Sequence, residues 1–67
     1  MGSKLKEARE EKRMTQEELA LKSGVTRQTI ISIETDPGYN PTFKTLVKLA
    51  DALETTVDKI FFTEHAQ

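Results

Sequence analysis

The chain has no cysteine and no tryptophan, and its 67 residues include only three glycines, two prolines, three phenylalanines and one tyrosine. Without cysteine there is no disulfide and no thiolate metal site. That composition suits a reducing cytoplasm, which is the expected location. No apolar run approaches the ~18 residues that a membrane span requires, and no signal-peptide pattern opens the chain. The single histidine, His65, sits in the C-terminal tail, and the carboxylates are scattered along charged helix faces. No nucleophile–base pair and no metal constellation can be assembled from such residues, so neither an enzyme nor a bound cofactor or metal is expected. An excess of charge of one sign is also missing. Ten basic residues face eleven acidic ones, for a net charge of −1. A strongly basic footprint, the usual electrostatic mark of nucleic-acid binding, is therefore absent. The distribution is slightly polarised: residues 1–35 hold seven Lys/Arg against six Asp/Glu, and residues 36–67 hold three against five. A molecule of this charge can still bind DNA through a few placed contacts, but only with low non-specific affinity.

What the chain does have is helical punctuation. Its length makes residues 1–67 a single domain, and the apolar spacing predicts an all-α fold with helices over about 3–12, 15–22, 26–34, 42–53 and 56–62. Ser3 is placed to cap the first helix, whose charged positions read as a solvated face. Arg13 stands where a helix commonly ends in Gly, so it must either adopt a left-handed conformation or let the helix end differently. Thr15 and Glu18 have the spacing of a capping box, with Met14 and Leu19 placed as a hydrophobic staple around it. Gly24 supplies a positive φ without steric penalty. Val25, Thr26 and Ile30 then repeat the staple and cap at the start of the next helix. Two capped helices separated only by a glycine turn have the shape of a helix-turn-helix. The stretch from Thr35 to Pro41 carries turn residues throughout. After it, Thr42 is a cap, and Phe43, Leu46, Val47, Leu49, Ala50 and Leu53 make a broad apolar face expected to be core. Thr56 is expected to cap the last helix, with Asp58 in its first turn. Val57, Ile60 and Phe61 are expected to close the core, leaving Phe62 over.

The third helix has two sides. With Arg27 set at zero on a helical wheel, Ile31 falls near about 40°, Gln28 near 100° and Ser32 near 140°, whereas Thr29, Ile30 and Ile33 fall between roughly 200° and 300°. The first group faces outward, and its side chains match the chemistry of base reading. Arginine donates twice to guanine, glutamine pairs with adenine, serine reads either, and an exposed isoleucine can meet a thymine methyl. The competing reading is a polar, solvated face. Placement at the start of the second helix of a helix-turn-helix favours the first, because such residues reach base edges. Gln16, at the start of the second helix, is a candidate for holding a phosphate together with the free backbone N–H groups there. Thr15, Thr26, Thr29, Tyr39, Asn40 and Lys44 are further phosphate candidates.

The stretch LKEAREEKRMTQEELALKSGVTRQTIISIE, followed by YNPTFKTLVKLADAL and VDKIF, resembles the phage-repressor or Cro-type helix-turn-helix domains, also called Xre-like, over about residues 4–62. The likeness is greatest to compact bacterial regulators that consist of little more than this domain. It implies five helices in the lambda-repressor-like arrangement, with the second and third as the DNA-binding unit. It further implies a phosphate contact for Gln16, base contacts for Arg27, Gln28 and Ser32, and a structural ion pair between Arg9 and Glu34. The chain departs from the family at Arg13 and Glu54, where Gly is common, and in a loop before Tyr39 that is one residue longer. Members usually bind double-stranded DNA as twofold dimers. Phe61 and Phe62 are the dimer-interface candidates, since two adjacent Phe are hard to bury in so small a core. The expected function is a sequence-specific transcriptional repressor on a pseudo-palindromic operator. The alternative is an antitoxin or protein-binding module on the same fold, with a toxin as partner.

Overall fold

The computed structural model describes residues 2–62, with side chains from Ser3 to Phe61. The tail that contains His65, and the Phe62 side chain assigned above to a dimer interface, lie outside the described residues. In chain order the elements are β1 (Gly2–Ser3), α1 (Leu5–Glu11), α2 (Gln16–Ser23), α3 (Arg27–Thr35), α4 (Phe43–Ala52), α5 (Val57–Ile60) and β2 (Phe61–Phe62). The fold is all-α, with five helices around one core and a two-stranded ribbon joining the ends of the described chain.

Local chemistry accounts for most helix boundaries. The Thr15 hydroxyl accepts from the Glu18 N–H at 3.0 Å, and the Glu18 carboxylate accepts from the Thr15 N–H at 2.8 Å, so the capping box is complete. Gly24 ends α2 with φ +77° and donates its N–H to the Ala20 carbonyl at 2.9 Å. Thr26 and Thr42 cap α3 and α4 by accepting from the N–H groups of Thr29 and Thr45, each at 3.2 Å. Both staple partners at the start of α3, Val25 and Ile30, are buried. Thr56 occupies the N-cap position of α5 but makes no side-chain cap bond to the backbone.

The helices α1 and α4 share a less economical ending. Arg13 (φ 58°) and Glu54 (φ 57°) both adopt the left-handed conformation. The N–H of Arg13 reaches the Glu10 carbonyl and that of Met14 the Arg9 carbonyl, while Glu54 and Thr55 reach Asp51 and Ala50 in the same pattern. These are Schellman motifs, which satisfy the last carbonyls of a helix and normally employ Gly at the left-handed position. A side chain there costs roughly 1–2 kcal/mol, and glycine returns part of that gain through the greater freedom of the unfolded chain. Arg13→Gly is therefore expected to stabilise the domain by about 0.5–1 kcal/mol, raising Tm by several degrees. Glu54→Gly should gain less, because it also removes an exposed ion pair with Lys12 at 3.4 Å. Urea titration of the two variants checks this, and an Arg13→Gly protein no more stable than the parent contradicts it.

Three expectations require correction. First, α1 begins at Leu5 rather than near residue 3, and the cap position is Lys4; the Ser3 hydroxyl accepts from the Leu5 N–H at 3.1 Å from one residue further out. Second, the last helix stops at Ile60. Phe61 turns extended (φ −151°, ψ 137°), and β2 runs antiparallel to β1 with Ser3 opposite Phe61 and Gly2 opposite Phe62. Lys4 continues the clasp, donating its N–H to the Ile60 carbonyl at 2.8 Å. Aromatic residues fit a pleated, half-buried surface, and the pairing supplies partners for backbone groups that an isolated end would leave to water.

The third correction concerns α4. Its buried arc consists of Leu46, Leu49, Ala50, Ala52 and Leu53, while Phe43 is 71% and Val47 36% exposed. This helix packs against α2 and α5. Phe43 and Val47 lie at the edge of its apolar stripe, about 20–60° beyond Ala50 on the wheel, where neither neighbour covers them. The rest of the core is drawn from every helix, with Leu5, Leu19, Ile30, Leu49, Leu53 and Ile60 fully buried. Phe61 belongs to this core at 6% exposure. Of its two expected places, the core and a dimer surface, it takes the core, because the turn into β2 carries its ring into the domain.

Candidate nucleic-acid interface

The two helices of the turn motif meet along the buried residues Leu19, Val25, Ile30 and Ile33. Ile30 and Ile33 occupy the inner side of α3. Arg27 and Gln28 are exposed at its N-terminal end, whereas Ile31 and Ser32 are half-buried. The outward arc read from the helical wheel thus divides. Two side chains are free over their length, and the other two present only part of their surface, in the second turn. Thr35 donates its hydroxyl to the Ile31 carbonyl at 2.8 Å, which satisfies a carbonyl near the end of α3.

The opposite end of α3 is held by an ionic network. Arg9 from α1 donates Nε to Glu34 Oε2 at 2.8 Å and Nη2 to Oε1 at 3.1 Å. Its Nη1 donates to the Met14 carbonyl at 2.8 Å. The Glu34 side chain is only 2% exposed. Hydrogen bonding to Glu34 is the chief reason the Arg9 pKa lies above its ordinary value; burial opposes the shift, and the Glu34 and Glu10 charges add to it. This planar, bidentate fork is geometry that a lysine ammonium cannot reproduce.

Gln16 is the third member of that network, and sequence reasoning missed this role. Its Nε2 donates to Glu34 Oε1 at 3.0 Å. The amide nitrogen expected to hold a DNA phosphate is thus also bonded within the protein, through one of its two N–H groups. A phosphate at the start of α2 would be met by the second N–H of that amide and by backbone. The capping box occupies the N–H groups of Thr15 and Glu18 and leaves those of Gln16 and Glu17 at the helix start. No sequence signal pairs residues 16 and 34, because their meeting depends on the angle between α2 and α3.

The other phosphate candidates fall into two groups. The hydroxyls of Thr15 and Thr26 accept cap bonds, and Thr26 also donates to the Thr29 hydroxyl at 2.9 Å. Thr26 is therefore occupied in both directions, while the Thr15 and Thr29 hydroxyl protons can point outward. In the loop before α4, Asp36 Oδ1 accepts from the Gly38 N–H at 2.9 Å, and the Tyr39 N–H donates to the Asp36 carbonyl at 3.0 Å. These bonds hold the turn in one shape. Tyr39 packs against the core, whereas Asn40 and Lys44 are exposed. Among the described residues no group of three or more His, Asp or Glu is placed to hold a metal ion. Nor is any described helix long and apolar enough to cross a membrane.

Comparison with known proteins agrees with this arrangement. The family described as Helix-turn-helix matches residues 5–60. An uncharacterized HTH-type transcriptional regulator of Methanocaldococcus jannaschii is 44% identical over 64 residues, 96% of each chain. Another, from Archaeoglobus fulgidus, is 37% identical over 67 residues, covering all of this chain and 93% of that protein. Both relatives are archaeal, whereas the resemblance noted from the residues was to compact bacterial regulators. Among solved structures, a complex of the SinR and SinI proteins contains a chain that superposes with a TM-score of 0.79 at 33% identity. The match covers 91% of this chain and 59% of that one.

Proposed function

The chain belongs to the helix-turn-helix family of DNA-binding transcriptional regulators, and from that premise we propose that it is a sequence-specific repressor acting as a twofold dimer on a pseudo-palindromic operator. It is a regulator domain and not an enzyme. The observation that carries the proposal is the division of labour along α3. Its far end is tied to α1 and α2 by the Arg9–Glu34–Gln16 network, while Arg27 and Gln28 stand exposed at the other end. A helix held at one end and presenting bidentate donors at its start is suited to placing them on base edges in the major groove. In this reading Ile31 and Ser32 add shorter contacts. The N–H groups at the start of α2, the Thr15 and Thr29 hydroxyls, Asn40 and Lys44 meet phosphates, with Tyr39 shaping the loop. Occupancy of the operator excludes polymerase, and the work is done in the cytoplasm.

Selection of bound sequences from random duplex DNA, followed by titration against salt, tests the proposal. The expected result is a palindrome with half-sites about one helical turn, ~34 Å, apart. A shallow salt slope is also expected, since each neutralised phosphate contributes about −0.9 and the protein has a net charge of −1. Absence of enrichment would remove the proposal. A second reading, an antitoxin or other protein-binding role, draws on the SinR–SinI complex, in which the similar chain accompanies a protein partner. Co-purification with the product of a neighbouring toxin-like gene would favour it.

A further inference from the structure

The described residues form an open cleft of ≈ 270 Å³ to which the DNA-binding reading gives no role. It lies where the end of α3 and the loop after it meet the ribbon that joins the ends of the described chain. Ile33, Pro37, Tyr39 and Phe61 make its apolar walls, and Ser3, Glu34 and Asp36 bring polar groups to it. Ser3 and Phe61 are partners across the ribbon, so a tertiary pairing closes one side. The loop from Asp36 to Tyr39 forms the other. The electrostatics of the cleft have one sign. No Lys, Arg or His lines it. Glu34 is paired with Arg9, whereas Asp36 makes no ion pair among the described residues, and its carboxylate accepts from the Gly38 N–H at 2.9 Å. A helix C-terminus adds roughly half a negative charge, and α3 has no base in its last turn. The Ser32 carbonyl accepts from the Asp36 N–H, but those of Ile33, Glu34 and Thr35 accept no backbone N–H among the described residues. An acid at the C-cap is the opposite of what the dipole favours. Here that local preference is broken at the lip of a cavity, where a different interaction can decide the sequence.

We propose that this cleft binds a small organic amine, with the ammonium group against Asp36 and the carbonyls at the end of α3, and the apolar part against Tyr39, Phe61, Ile33 and Pro37. Three features select that class of ligand. The uncompensated charge calls for a cation. The walls then call for an organic one, since aromatic residues attract an ammonium through the ring quadrupole and accept the methylene groups beside it. A hard metal ion instead needs several oxygens converging on one point, and no group of three or more His, Asp or Glu is so placed among the described residues. The volume lies just under the ~300 Å³ at which pockets for drug-sized ligands begin, so the amine is small. The site is at the end of α3 away from Arg27 and Gln28. It shares Ile33 with the packing of that helix and Glu34 with the network that holds it. An occupant therefore bears on α3 from the end that the protein holds. This inference needs the fold alone and stands independently of the operator.

Titration of phenethylamine into the full chain, followed by calorimetry and by the backbone amide NMR spectrum, tests the site. Phenethyl alcohol and hydrocinnamate serve as neutral and anionic counterparts of similar size. The amine is expected to bind saturably in the millimolar range and to shift the amides of Ser3, Thr35, Gly38, Tyr39 and Phe61. The alcohol should bind about tenfold more weakly, the worth of one charge-assisted hydrogen bond, and the acid not at all. Asp36→Asn keeps an oxygen for the Gly38 N–H and removes the charge, so it should fold like the parent and weaken amine binding by about tenfold. Asp36→Lys places a tethered ammonium at the cleft and should abolish binding. Equal affinity for amine and alcohol overturns the proposal, as does unchanged affinity in Asp36→Asn. Shifts confined to residues away from the cleft, or no response up to about 10 mM amine, overturn it as well.

Discussion

Arg9→Ala is expected to destabilise the domain by about 3–5 kcal/mol, the cost of breaking a buried ion pair by removing one partner. A domain of this size holds on the order of 5–10 kcal/mol in all, so the variant should be largely unfolded at temperatures where the parent is intact. The size of the effect follows from what remains. Glu34, 2% exposed, is left in a place that water barely reaches, with the Gln16 amide as its remaining partner from the network. The Met14 carbonyl loses its donor from Arg9 as well. Replacing both ends with apolar residues of similar volume should cost much less, because no charge is then stranded. The pH dependence has a defined sign. Arg9 has its pKa raised in the folded state, so its contribution is fully present below the unfolded pKa and is lost as pH rises through the raised folded value, far on the alkaline side. Urea denaturation followed by far-UV circular dichroism measures all of this. A loss under about 1 kcal/mol in Arg9→Ala would show that the pair behaves as a surface salt bridge.

Arg27→Ala and Gln28→Ala should change recognition and leave the fold alone. Both residues are exposed at the start of α3, and surface substitutions of this kind usually shift stability by no more than about 0.5 kcal/mol. Each bidentate base contact is worth about 1–3 kcal/mol of discrimination, so each variant should lose roughly 5- to 150-fold of preference for a matched operator over a mismatched one. The loss should fall at a single base position in each half-site. Ser32→Ala should be milder, since that side chain is half-buried and reaches less far. Competition between matched and mismatched duplexes at fixed salt separates these outcomes. Matched-site affinity equal to wild type in both alanine variants would mean that α3 does not lie in the groove.

The two predictions differ in how far the sequence supports them. Arg27 and Gln28 follow from helical periodicity together with the Thr26 cap, because a helix start and a wheel are enough to say which side chains point away from Ile30 and Ile33. The Arg9–Glu34 pair came from family resemblance and not from the residues, since nothing in the spacing of 25 positions requires the two to meet. The start of a helix favours anions, and that is what points Gln16 at a phosphate. The structure gives its amide nitrogen to Glu34 at 3.0 Å. Periodicity marks the whole α4 stripe as core, yet the two residues at its edge, Phe43 and Val47, stay exposed.

The sequence by itself determined what short-range geometry decides. The capping box at Thr15, the caps at Thr26 and Thr42, the left-handed turn at Gly24 and the inward faces of α2 and α3 all arise among residues within a few positions of one another. The tertiary structure alone decided which faces find a neighbour. It left Phe43 in solvent, brought Gln16 to Glu34 and paired Ser3 with Phe61 from opposite ends of the chain. The physical reason is that periodicity records which side of a helix is apolar, whereas burial depends on where the next helix stops, and that is set by packing across the entire core.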